Sequence, residues 1–520
     1  MVSKWLIKEN SYYDSVTLMI ITKEIEARDD VENAVVVMGT DLNKDLLNNV
    51  GLLNDEINKT TANDLIIAVR MKDESKFDEI LAKVDELLNK KKSDAGEDYT
   101  PPTLDSAIKY MPDSNMVVIS LPGAYAAAEA KKALENDKHV MLFSDNVTIE
   151  QEKELKELAV SKGLLMMGPD CGTAMINQVP LCFCNKVNKG NIGIVGASGT
   201  GTQEIMVQVH RMGGGCSQVI GTGGRDLKKE IGGLMMTLGI QALANDDNTD
   251  VIVLVSKPPA IEIAEKVLKT LKECGKKAVV DFIGGDDELI RKYGFIAASS
   301  LEDAAYKAVA LAKGEEPKDA PIFTESEDKI DKLAAKEREK LASNQKYLRG
   351  LYSGGTLCDE TLKLFTKEFG GIYSNIPLTP EYKLEDNKKS YKHTALDLGD
   401  DEFTVGRPHP MIDSYMRQQM IVKEAEDSEM AVLIMDVVLG YGSNEDPAGS
   451  LADHIKLAKK KFADRGQYLC VVAYVCGTKA DPQNYDEQVK KLEDAGAVLM
   501  PSNAQAIRFA MKVVRGVIKC

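Results

Sequence analysis

The sequence predicts an α/β chain in which an N-terminal β/α region precedes a Rossmann-like unit and two flavodoxin-like parallel-sheet units. Three observations predict it. Short apolar, β-branched runs alternate with helical periodicities along nearly the whole length, the pattern of parallel sheets covered by helices. Two strand-to-helix turns, at 191–204 (NIGIVGASGTGTQE) and 348–357 (LRGLYSGGTL), share one grammar of strand, glycine loop and helix start. After each, further strands recur in the same order and at similar spacing: 394–398 answers 218–221, 431–437 answers 251–255, 469–475 answers 278–283 and 497–500 answers 295–298. An internal duplication of one doubly wound domain accounts for the recurrence. Loose likeness between any two five-stranded α/β domains is the plainer account, but it leaves the matched glycine loops unexplained.

Taken in order, residues 1–92 read as strands near 4–8, 34–38 and 65–69 between helical runs 15–27 and 76–90. The first turn of this region, 9–15, has no glycine, so a pyrophosphate has no cradle there. The stretch 90–102 is charged and ends in Pro-Pro, which marks an exposed connection. The Rossmann-like unit, 103–187, carries strands at 116–121, 139–143 and 164–167 separated by helices 125–136 and 149–162. Residues 189–313 form the first flavodoxin-like unit and 347–520 the second, with a polar, largely helical linker at 314–346.

Composition bounds the function. A chain of 520 residues with 44% apolar and 28% charged side chains buries several ordinary cores. Its formal charge of −16 argues against nucleic acid or an anionic membrane as partner, leaving small anions held by local Arg and backbone dipoles. The nine cysteines show no metal-ligand spacing, so they read as reduced thiols in a cytoplasmic setting, with no metal expected. No apolar run approaches bilayer length.

The chemistry is expected at the glycine loops. Gly196, Gly199 and Gly201 break the first strand just before a helix, leaving backbone N–H groups at the positive end of its dipole. Gly196 and Gly201 have Walker A spacing, but Thr202 stands where that motif needs Lys. If the two units face one another, N–H groups from Ser198, Gly199, Thr200 and Gly201 and from Ser353, Gly354, Gly355 and Thr356 hold one phosphate between them, which favours phosphoryl or acyl-phosphate chemistry.

Further loops supply other candidates. Asn146 in 144–148, and Gly168, Pro169 and Asp170 in 168–173, lie at strand C-terminal ends where ligands of parallel sheets bind, with N-caps or turns as the plain alternative. Cys171 reads as a small buried residue. Arg225 (GTGGRD, 221–226), Arg407 and His409 (GRPHPMID, 406–413) are candidates for gripping a carboxylate or phosphate and for carrying a proton, against local salt bridges and a backbone-satisfied histidine. Asp436, at a strand end, with Glu445 and Asp446 offers a metal set, but the two carboxylates beside Pro447 at a helix start read better as caps. His139, His210 and His454 read as structural, and His393 is left open.

FSDNVT (143–148), MGPDCGT (167–173), the loop 191–204, GGRDL (223–227), VSKPP (255–259), GLYSGGTL, 396–413 and DVVLGYGSNEDPA (436–448) together resemble the FdrA family over nearly the whole chain. More distantly, 100–313 resembles the α subunit of succinyl-CoA synthetase and the C-terminal part the CoA-ligase domain of its β subunit. That resemblance implies a succinyl-CoA synthetase-like architecture, with 103–187 as the CoA-binding-like domain. The synthetase relays phosphate through a histidine, and the corresponding stretch, 281–288 (DFIGGDDE), has none. Its supporting glutamate turn corresponds to Ser256-Lys257-Pro258-Pro259, and no ATP-grasp domain is evident.

The FdrA resemblance implies carbamoyl transfer between carbamoyl phosphate and oxamate in ureide breakdown, with the glycine loops on the phosphate and Arg225 or Arg407 on oxamate's carboxylate. Two other readings stand beside it: an acyl-CoA synthetase taking CoA and a nucleotide, and a non-catalytic scaffold. Expected partners are a small anionic substrate, a second copy of the chain in a dimer, and separate subunits that complete the site.

Overall fold

The computed structural model describes residues 2–13, 15–28, 30–89, 101–404 and 407–515. Most of the connection 90–102, and Gly406 of the GRPHPMID loop, lie outside them. The chain divides into two compact units, Met1–Ala107 with Asp400–His409, and Ile108–Gly399 with Pro410–Cys520.

The first unit is built on a three-stranded antiparallel sheet in the order Val2–Lys8, Leu65–Met71, Val31–Met38. The central strand LIIAVRM is apolar on both faces apart from half-buried Arg70, because both faces are covered. Ile67 and Val69 face helices Ser15–Glu26 and Phe77–Asn89, packing with Leu18, Ile21, Ile80 and Val84. The alternate residues Ile66 and Ala68 meet Leu47, Leu52 and Ile57 on the other side. A period of two thus feeds two small cores. Thr40 caps the helix Asp41–Asn49 by accepting from Asn43 N.

The second unit holds three sheets. Met116–Ile119, His139–Leu142 and Met166–Met167 pair in parallel, as the βαβαβ pattern predicts. The larger sheet runs Ile296–Ala297, Lys277–Phe282, Val251–Ser256, Lys189–Ala197, Cys216–Gly221, then the hairpin Thr173–Ile176 and Val179–Cys182. The hairpin joins antiparallel at the edge; sequence reading missed it, because it is short and carries Pro180. The third sheet runs Thr394–Asp397, Tyr347–Tyr352, Met430–Val438, Cys470–Cys476, Ala497–Met500, all parallel.

Numbered from its own first strand, each flavodoxin-like unit has the strand order 2-1-3-4-5, so the recurrence read in the sequence is a recurrence of topology. Four helices lie between the two sheets: Gly199–Arg211, Leu301–Ala312, Gly355–Phe369 and Asn503–Arg515. Their apolar faces form one continuous core with both sheets, including Ile205, Val209, Leu301, Leu357, Phe365 and Phe509. The segment 314–346 is more than a connection, since its helix Glu327–Arg338 buries Ile330 and Ala334 and packs on Asn503–Arg515.

Candidate active site at two facing glycine loops

The two glycine loops meet. Ser198 Oγ and Thr356 Oγ1 lie 2.6 Å apart and buried. A Cβ on Gly201 would stand 2.7 Å from Thr356 Cγ2, and one on Gly354 would stand 2.8 Å from Thr200 Oγ1. Both glycines are therefore required by close approach of one helix start to the other.

The loops are unequal in what they still offer. At the first, Ser198 caps its own helix by accepting from Gly201 N at 3.2 Å. Among the described residues, no acceptor is seen for the N–H groups of Gly199 and Thr200, and Gly199 is exposed. At the second, Asp436 has already entered the cradle. Its Oδ1 accepts from Ser353 N at 2.9 Å and its Oδ2 from Gly354 N at 2.8 Å and Ser353 Oγ at 3.1 Å. Fully buried Asp436 is balanced by Arg417, whose Nη2 donates to Oδ1 at 3.0 Å. The expectation that Ser353 and Gly354 bind phosphate is thereby corrected, because an internal carboxylate takes their amides. Gly355 and Thr356 keep theirs, with no acceptor seen among the described residues.

A second group of expected residues also converges. Asp170 N donates to Ser144 O at 2.9 Å, tying the loop with Asn146 to the one with Gly168 and Pro169. A Cβ on Gly223 would stand 2.3 Å from Pro169 O, so the Arg225 loop closes on the same place. Asn146 and Asp170 are exposed, whereas Gly168 and Pro169 are buried. Arg225 acts as a structural tie, with Nε donating to Glu152 Oε2 at 2.9 Å and Nη2 to Val147 O at 2.7 Å. Its Nε–Nη2 edge, one of the two a guanidinium can offer to a carboxylate, is spent.

Beneath Arg225 lies Lys156, which the sequence conceals in a charged helix. Its Nζ donates to Glu152 Oε1, Asp226 Oδ1 and Thr222 O, each at 2.8 Å, with all three charged side chains sealed from solvent. Asp226 in turn accepts from Met235 N and Met236 N at the start of helix Leu234–Ala244.

Arg407 and His409 belong to the first compact unit. Arg407 Nε donates to Asn43 Oδ1 at 3.0 Å. His393 accepts from Leu348 N at Nδ1, and burial, with Arg349 nearby, holds its imidazole down at about 4. It is neutral and structural at neutral pH. His139 and His210 likewise accept from backbone N–H groups, of Leu165 and Asn188. Cys171 is buried, and burial pushes its thiol up to about 12, so it is no nucleophile at neutral pH. Asp446 caps helix Pro447–Asp464 through Gly449 N.

The stretch 281–288, which lacks the histidine expected from the synthetase resemblance, begins with Asp281 at the end of strand Lys277–Phe282. Oδ1 lies 3.5 Å from Lys363 Nζ, Oδ2 has no hydrogen-bond partner among the described residues, and burial raises the carboxyl to about 6. Lys257, in the VSKPP stretch, lies 3.2 Å from Asp359 Oδ2, five residues beyond the cap Gly354 of helix Gly355–Phe369. Sequence reading gave Asp281, Lys257 and Lys363 no role, since only the fold brings them to the second glycine helix.

Comparison with known proteins fits this geometry. YahF of Escherichia coli (strain K12) is 48% identical over 511 residues, covering 98% of both chains. The chain belongs to the YahF family. Within it, three family models match: "AllF, heavy metal-associated domain" over residues 1–102, "CoA binding domain" over 187–284 and "CoA-ligase" over 351–513. The two glycine loops thus fall one in each of the latter two matched regions; the sequence reading had put the CoA-binding-like part at 103–187. The succinate–CoA ligase α subunit of Methanothermobacter thermautotrophicus is 26% identical over 176 residues, 33% of this chain and 58% of that one. Among solved structures, a dinucleotide-forming acetyl-coenzyme A synthetase 1 of Ca. Korarchaeum cryptofilum matches at 16% identity and TM-score 0.33, covering 78% of this chain and 83% of that one.

The YahF-family chain therefore carries CoA-ligase and CoA-binding superfamily regions on an α/β fold like that of succinyl-CoA synthetase. Among its described residues, no helix is long and apolar enough to cross a membrane. The name of the N-terminal model implies a metal, which its residues do not fit. Residues 1–102 contain neither the Cys thiolates nor the His imidazoles that hold most such metals, and of their methionines Met38 and Met71 are buried in the core. Among the described residues, no group of three or more His, Cys, Asp or Glu is placed to hold a metal ion.

Proposed function

We propose that this chain is a group-transfer enzyme acting on an acyl phosphate, with carbamoyl transfer between carbamoyl phosphate and oxamate as its reaction. One observation carries the reading: two helix N-termini from separate parallel units abut at Ser198 and Thr356, with no acceptor among the described residues for the N–H groups of Gly199, Thr200, Gly355 and Thr356. Such amides stabilise a phosphate that departs with developing charge, and being preorganised they cost no reorganisation as it leaves.

The oxamate nitrogen attacks the carbamoyl carbon, an N–C bond forms, the C–O bond to phosphate breaks, and the nitrogen's proton leaves with the phosphate. The products are oxalurate and inorganic phosphate. The absence of histidine from 281–288 favours direct attack over a phosphoenzyme. The FdrA resemblance supplies the substrate pair, and the cytoplasm is the setting that suits its reduced thiols. Positioning and charge stabilisation supply the rate.

The test is phosphate release from carbamoyl phosphate, measured with and without oxamate on the full chain and again with candidate partner subunits added. Oxamate-dependent release is expected. Release that ignores oxamate, or none in any combination, overturns the reading.

A second reading, acyl-CoA synthesis, is favoured by the CoA-binding and CoA-ligase matches at 187–284 and 351–513. Under it, CoA and a nucleotide are the ligands, and at a hundredfold excess over Kd each stabilises the chain by about 2.7 kcal/mol. An unchanged Tm with both present dismisses it.

A further inference from the structure

Position by position, the two parallel units exchange one pair of charges. Each has its topological switch point between its first and third strands, where ligands of such sheets bind. In the first unit, Gly196, two residues before the cap Ser198, pairs with Val255. In the second, extending the register Leu351↔Met435 by one pair sets Tyr352, two residues before the cap Gly354, beside Asp436. Asp436 thus stands where the first unit has Val255. Two residues on, the first unit has Lys257 where the second has buried Val438. The second loop is closed by an internal anion; the first carries a cation at the same mouth.

Resting on the acyl-phosphate reading, we propose that Lys257 is the cation that binds the phosphoryl group at the first glycine loop. It supplies from the third strand the ammonium that the loop itself lacks at Thr202. Ser256 pairs with Ala197, so Lys257 begins beside Ser198, and its Nζ ends against the facing helix, 3.2 Å from Asp359 Oδ2, five residues beyond the cap Gly354. It therefore runs from the end of the first glycine loop to the helix that the second loop opens. The Lys257 side chain is 41% exposed, whereas Asp359 is 5% exposed, so a partly exposed lysine is anchored at its tip by a buried carboxylate.

Burial alone would lower its pKa, but Asp359 and Asp397 outweigh that and hold the ammonium above the ordinary lysine range. Lys257 is therefore a fixed positive charge and no nucleophile, suited to a departing phosphate. At the second loop the corresponding cation, Arg417, is already consumed by Asp436.

The test titrates inorganic phosphate into the full-length protein and its variants Lys257→Met, Lys257→Arg and Val438→Ala, followed by calorimetry and 31P line width. Loss of one charge-assisted contact is expected to weaken phosphate binding about tenfold or more in K257M, with K257R recovering most of it and V438A near wild type. The salt dependence of binding should also flatten in K257M, which a merely structural lysine would not cause. Wild-type binding that K257M matches overturns the role of Lys257 and leaves the acyl-phosphate reading standing. No phosphate binding by the wild type overturns both.

Discussion

Glu204 and Glu360 occupy the same position, six residues beyond the cap, on the two facing glycine-loop helices, and both are buried. Glu204 accepts from Gln208 Nε2 and from the Tyr474 hydroxyl; Glu360 accepts from Leu301 N and Asn503 Nδ2. Among the described residues, neither forms an ion pair. Burial raises both carboxyls, Glu204 to about 7, and the charge of Glu360 adds to the rise at Glu204.

A pH dependence of stability follows. With its folded pKa raised above the unfolded value, Glu204 holds its proton more tightly when folded. Its stabilising contribution is complete below about pH 4.5 and is lost as pH rises toward 7. Glu204→Gln should therefore gain on the wild type between pH 5 and pH 8, by on the order of 3 kcal/mol at most. Urea midpoints at the two pH values measure it. A constant difference would show that the carboxyl does not titrate in this window.

Lys156 is expected to be a structural keystone of the second unit. Lys156→Met leaves Glu152 and Asp226 buried beside one another with Arg225 as sole nearby cation among the described residues, and breaking such a pair costs roughly 3–5 kcal/mol. The first thermal transition should fall sharply at pH 7. A Tm within a degree or two of wild type would contradict the network.

Arg225→Ala separates its structural part from its proposed one. With the Nε–Nη2 edge given to Glu152 and Val147, the variant should lose about 1.5–3 kcal/mol of stability while binding inorganic phosphate as the wild type does. Calorimetry on the folded variant below its transition reads both quantities. Weakened phosphate binding with undiminished stability would restore Arg225 as a ligand-gripping residue.

These residues also show what a sequence can and cannot disclose. The parallel strands and both glycine loops were legible because each is local: a run of β-branched residues, then glycines, then helical periodicity. The identical strand order followed from the spacing of later strands. Asp436 in the second cradle was not legible, since it meets Ser353 from 83 positions away and reads locally as one more polar residue at a strand end. Lys156 was hidden by its neighbours: among Glu152, Lys153, Glu154 and Glu157 a lysine looks solvated, and only the arrival of Asp226 from another loop shows it buried. The hairpin Thr173–Cys182 was missed because two four-residue strands leave little periodicity.

The contact between Ser198 and Thr356 can be weighed by a double-mutant cycle. Ser198→Ala removes a helix cap as well as the shared hydroxyl pair, so it should cost about 1–3 kcal/mol. Thr356→Val keeps the shape but leaves Ser198 Oγ with only its cap contact, and should cost about 1–2 kcal/mol. Once Ser198 is alanine the valine has no hydroxyl to orphan, so the double variant should be less destabilised than the sum, with a coupling of at least about 0.5 kcal/mol. Additive losses would mean that the two loops touch without depending on one another, and the abutting helix starts would then be an accident of packing rather than a shared seat for one anion.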